Sequence, residues 1–121
     1  MYKKLLEWGN KVVRAENKKG RLAVSLVGDI EIRKLNRKYR NIDRATDVLS
    51  FEMGEDGLLG DIIISEATAK RNAARFRSGY KEELKRLVIH GALHLLGYDH
   101  VKKSDRMKMR SREAFYAKKI R

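Results

Sequence analysis

The sequence predicts an α+β fold, a single domain over residues 1–121 with helices packed on a small mixed sheet. Three observations carry that expectation. Apolar residues at helical spacing define five segments, which surround three short segments rich in β-branched and other apolar types. Gly54-Glu55-Asp56-Gly57 supplies hairpin chemistry between two of the short segments. No repeat, low-complexity tract or linker divides the 121 residues, a length suited to one core.

From Tyr2 to Lys18, Leu5, Trp8, Val12 and Ala15 keep a helical spacing, and Gly20 offers a stop. Leu22, Val24 and Leu26 then alternate through Arg21 to Val27, the period-two pattern of a strand. Asp29 is expected to cap a second helix that buries Ile32, Leu35 and Tyr39. Val48 to Met53 and Leu58 to Ile64 form the expected antiparallel pair. Ser65 begins a helix that ends by Gly79, and a central helix follows from about Lys81 to Leu96, with Leu84, Leu87, Val88, Gly91 and Leu95 inward. Ser104-Asp105 is expected to cap a last helix that turns Met107 and Phe115 toward the core.

Lys and Arg total 29 against 16 Asp and Glu, a formal net charge of +13. A positive field of that size attracts polyanions, with RNA, DNA and anionic membrane as candidates. The basic residues are spread over several segments, with no strongly cationic amphipathic anchor, which disfavours a membrane. The N-terminus mixes charge into its apolar residues, unlike a signal peptide, so a soluble cytoplasmic protein is expected. Cysteine is absent, which excludes disulfides and thiolate metal ligands.

All 3 histidines fall in His90-Gly91-Ala92-Leu93-His94-Leu95-Leu96-Gly97-Tyr98-Asp99-His100. His90 and His94 lie one helical turn apart on one face, and Gly97 can close the helix and return His100 toward them. Three imidazoles with a fourth position open to water are the donor set of catalytic zinc. The pattern H-x3-H-x5-H matches the ligand skeleton of metzincin peptidases, but Gly91 stands where those enzymes carry their glutamate base. A closed structural site would need a fourth ligand, Asp99 or Asp61. Asp99 is better read as a turn residue or as a carboxylate that orients a ligand from behind.

The histidine stretch resembles the signature of the YbeY family, bacterial zinc-dependent endoribonucleases of ribosomal RNA maturation and ribosome quality control. Leu35-Asn36-Arg37-Lys38-Tyr39-Arg40, Asp43, Thr46-Asp47-Val48-Leu49-Ser50-Phe51 and Gly60-Asp61-Ile62 are similar to further blocks of that family. The resemblance implies one Zn2+ per chain on His90, His94 and His100. It also implies a functional Arg40 in a positive cleft for single-stranded ribosomal RNA, with the ribosome as partner. Two departures stand out: the family usually has a strand before the first helix, and Arg44-Ala45 replaces a common proline. The competing expectations are a metzincin-like zinc peptidase and a non-catalytic RNA-binding assembly factor with structural zinc.

Overall fold

The computed structural model describes residues 2–99 and 101–121. Five helices and three strands follow in the order α1 (Tyr2–Ala15), β1 (Arg21–Val27), α2 (Asp29–Arg40), β2 (Val48–Glu55), β3 (Leu58–Ser65), α3 (Glu66–Arg75), α4 (Tyr80–Leu95) and α5 (Lys103–Lys119). The sheet runs β1-β3-β2, with β1 parallel and β2 antiparallel to β3, so it is mixed as expected. Asp56 and Gly57 both take positive φ in the two-residue connection of β2 to β3, the left-handed pair that such a tight hairpin requires.

Alternation along the strands divides the core into two layers. Leu22, Val24, Ile62 and Ile64 join Leu5, Trp8 and Val12 of α1 and Leu84, Leu87 and Val88 of α4 in the main cluster. Ile63 and Leu49 point to the other face and pack with Ile32 of α2. Each of these side chains contributes roughly 1.5–3 kcal/mol when fully buried. Helix α2 thus lies alone on one side of the sheet, and α4 crosses the other.

Four expectations are corrected. Gly28, not Asp29, is the N-cap of α2, without a side-chain cap bond. Asp29 Oδ1 instead accepts from Ser65 Oγ at 2.6 Å and Thr68 Oγ1 at 2.7 Å, while Oδ2 accepts from Arg71 Nη2 at 2.7 Å. The carboxylate ties α2 to α3, and hydroxyl donors in the folded chain outcompete its own helix. In α5, Met107 and Phe115 are exposed, while Met109, Tyr116 and Ile120 are buried. Adjacent apolar residues offered that helix two possible stripes, and a hydrogen bond from Tyr116 Oη to Glu16 accompanies the one it buries. Its N-cap is Lys102, not Ser104 or Asp105, and the Lys102 side chain makes no cap bond. Tyr39 was expected inside but is 59% exposed. Ser65 does cap α3, accepting from the Thr68 amide at 3.2 Å.

Helix α4 approaches the sheet most closely at Gly91. A Cβ there would lie 2.9 Å from Ile62 Cγ2 and 3.1 Å from Ser50 Oγ. Position 91 has no room for the glutamate of a metzincin. Gly91→Ala should destabilise the fold by about 1–3 kcal/mol through overpacking, read as a shift in urea midpoint at constant slope.

The Ser65, Thr68 and Arg71 donors lower the Asp29 carboxyl from its ordinary 3.8 to about 2. A depressed folded-state value gives stability that is present above 3.8 and is lost as pH falls toward 2. Denaturant midpoints measured across that window should fall, and Asp29→Asn should flatten the decline while lowering stability at neutral pH.

Candidate functional site

Helix α4 presents Arg86, His90 and His94 along one face, each one turn from the next. The helix ends with Gly97 at φ +102, its N–H donating to His94 O and the Tyr98 N–H to Leu93 O, both at 3.1 Å. This paired closure is the one that a left-handed glycine allows, and it turns the chain where the sequence placed the turn. Tyr98 Oη then donates to Glu16 Oε1 at 2.7 Å, and Asp99 Oδ1 accepts from the Val101 amide at 2.6 Å. Asp99 therefore performs the turn role that was one of its two expected ones.

His90, His94 and Arg40 share a cleft of about 130 Å³ with Val48, Leu49 and Ser50. Helix α2 delivers Arg40 in its last turn, where Asn41 closes the helix at φ 58. Buried Asn36 donates from Nδ2 to Arg44 O at 2.9 Å and so fixes the loop that leads from Arg40 to β2. The cleft's other wall is the first half of β2, held against α4 by Ser50 Oγ donating to Gly91 O at 3.5 Å. Helix end, strand and helix thus bring together residues fifty positions apart in the chain.

Glu113 was missed by the sequence reading. Its Oε1 lies 2.7 Å from His90 Nδ1, a contact from α5 to α4. An ionised carboxylate can only accept, so this contact calls for a proton on Nδ1, and a neutral imidazole in that tautomer has its lone pair on Nε2. The only signal in the sequence is that Glu113 and Asp105 are the two acids in an otherwise basic helix. Behind this pair, Glu83 is 3% exposed and accepts from Arg86 at 2.7 and 2.9 Å and from Asn72 at 3.1 Å. Burial acts to raise the Glu83 carboxyl, but the Arg86 and Asn72 donors outweigh it and hold it below its ordinary value. Arg86 also reaches Asp47 at 3.4 Å. This charged network ties α4 to α3 and to Asp47, the residue before β2.

The expected third imidazole, His100, lies outside the described residues. Among the described residues, no group of three His, Asp or Glu is placed to hold an ion. Asp61, considered as a fourth ligand, sits in β3 with Oδ1 buried and without a hydrogen-bond partner. Burial raises its carboxyl, opposed by a bond from Ser25. Its strand position faces the α2 side of the sheet, in a second groove that also includes His94.

The family profile Endoribonuclease YbeY matches residues 1–121. The chain belongs to the YbeY family. A relative from Desulfitobacterium hafniense, an Endoribonuclease YbeY, is 44% identical over 82% of this chain and 71% of its own. One from Aquifex aeolicus, with the same name, is 52% identical over 67% of this chain and 57% of its own, so the match spans less than two thirds of that protein. The solution structure of a Thermotoga maritima protein superposes with a TM-score of 0.69 at 35% identity, covering 94% of this chain and 77% of that one. The fold and the sequence blocks of the YbeY family therefore occur together in this chain. Among the described residues, no helix is long and apolar enough to cross a membrane.

Proposed function

We propose that residues 1–121 form one catalytic domain, a metal-dependent endoribonuclease that cuts single-stranded RNA in ribosomal RNA maturation and ribosome quality control. Membership of the YbeY family, whose relatives carry the name endoribonuclease, supports the reaction class. The observation that carries the reading is the cleft in which Arg40 from α2 meets His90 and His94 from α4. The +13 charge suits a polyanionic substrate on the ribosome, and the cytoplasm is its proposed compartment.

His90, His94 and His100 are the proposed ligands of one Zn2+. The donor chemistry fits: neutral imidazoles suit zinc, and Glu113 on Nδ1 leaves Nε2 of His90 as the ligating atom. When bound, the metal supplies Lewis acidity at the scissile phosphate. Arg40 supplies a permanent charge and a planar pair of donors for phosphoryl oxygens, favouring the state in which negative charge grows there. Asp99 is left out of the proposed ligand set, and its Oδ1 serves the turn by accepting from the Val101 amide. The peptidase alternative lacks its base, and Gly91 has no room for one.

Zinc-loaded protein should cut single-stranded ribosomal RNA, His94→Ala should abolish cutting, and Arg40→Ala should slow it by about 10²–10³-fold. If none of the three proteins cuts in a sensitive gel assay, the nuclease reading fails. Glu113→Ala should weaken zinc binding by about 10–100-fold in competition with a chelator, with an unchanged metal-free melting curve. Equal affinity in variant and wild type would remove Glu113 from the site.

A further inference from the structure

The His-Arg cleft does not end at His94. His94 and Ser50 also line a second, larger groove of about 690 Å³ that runs along the α2 side of β2, with Tyr39, Phe51, Met53 and Asp61 in its walls. Tyr39 is 59% exposed and Met53 47%, so the groove presents apolar surface to solvent beside the proposed site. The Tyr39 and Phe51 ring centroids are 5.1 Å apart with planes inclined at 59°. Phe51 thereby supports one side of the Tyr39 ring. Lys38 Nζ lies over the Tyr39 ring, 5.2 Å from its centroid, a mobile exposed cation that an incoming base would displace from the ring face.

Charge separates the two compartments. Arg40 and the two histidines occupy the smaller cleft, which suits a phosphate. The larger groove instead carries the carboxylates of Glu52 and Asp61 among aromatic and aliphatic groups. Carboxylates repel a phosphate but accept from the N–H groups of a base, while an exposed aromatic ring offers a stacking surface. A strand whose phosphate sits at Arg40 has its neighbouring nucleotide within reach of this groove, because the compartments share His94 and Ser50.

We propose that the groove is a nucleobase subsite, in which the base of a nucleotide next to the scissile phosphate of single-stranded RNA stacks on Tyr39. This rests on the endoribonuclease reading and adds to it a residue that selects unpaired substrate. A base held in a duplex keeps both faces stacked on its neighbours and has none to offer Tyr39. Tyr39 binds substrate and takes no part in the chemistry at phosphorus.

The test compares a single-stranded RNA with a set of the same RNAs, each lacking the base at one position around the cut. Wild type should lose about 10-fold in kcat/KM when one particular base is missing. Tyr39→Ala should show a similar loss on intact RNA, mainly through KM, and no further loss on that abasic RNA. Tyr39→Phe should retain most activity, since the ring is kept. Full activity of Tyr39→Ala, or equal proportional losses on every abasic RNA, would overturn the subsite. The same RNA carrying 2-aminopurine at that position gives a binding readout independent of cleavage. Its fluorescence should be quenched by wild type and not by Tyr39→Ala. Should wild type cut no RNA yet quench the probe through Tyr39, the nuclease reading fails and the subsite stands; absence of quenching overturns the subsite.

Discussion

The contact between Gly91 and the sheet is the constraint on which the site depends. Helix α4 lies so close to β3 and β2 that a single carbon at position 91 would meet Ile62 and Ser50. That proximity buries Leu87 and Val88 on one side of the contact and carries His90 and His94 past the edge of β2 on the other. Arg40 can then complete the cleft from the opposite layer of the sheet. The space that a zinc peptidase devotes to a catalytic side chain is here filled by the packing of helix on strand. The histidine spacing resembles that of a peptidase, while Gly91 leaves no room for a peptidase's base.

Four acidic residues do structural work in this basic protein. Asp29 joins two helices, Glu83 organises Arg86 and Asn72, Glu113 holds His90, and Glu16 receives Arg112 at 2.6 Å together with two tyrosine hydroxyls. Burial works to raise the Glu16 carboxyl, but those three donors outweigh it and hold it below its ordinary value. With these carboxylates engaged internally, the surplus of lysine and arginine sets the field outside. The positive field and the ordered interior are thus two results of one distribution of charge.

The order of elements, the β2-β3 hairpin, the Ser65 cap and the Gly97 turn were legible because each rests on neighbouring residues. Period, hydroxyl capping and left-handed glycine act within a few positions. The family blocks also pointed to Arg40 and the histidines, and the fold brings the described members of that set together. What escaped depends on contacts between distant segments. Neither Met107 nor Met109 is the better helix residue, and the buried pairing of Tyr116 with Glu16 lies across the fold. Glu113 reads as one more charge on a solvated helix until α5 is laid against α4. Tyr39 follows the helical period inward, yet α2 covers only part of the sheet and leaves that last turn overhanging a groove.

Glu16 links the end of α1 to Tyr98 and, 100 residues along the chain, to Tyr116. During synthesis, α1 through α4 emerge before either Arg112 or Tyr116 exists to meet that carboxylate. The segment just beyond Gly97 acquires its full set of anchors last, when α5 docks, and Glu113 reaches His90 at the same stage. Long-range closure of this kind ties the setting of His90 to the docking of α5. A nascent polypeptide from which α5 has not yet emerged would carry both histidines of α4 without the carboxylate that steadies His90, so the orientation of that imidazole is set only when two segments more than twenty residues apart have met.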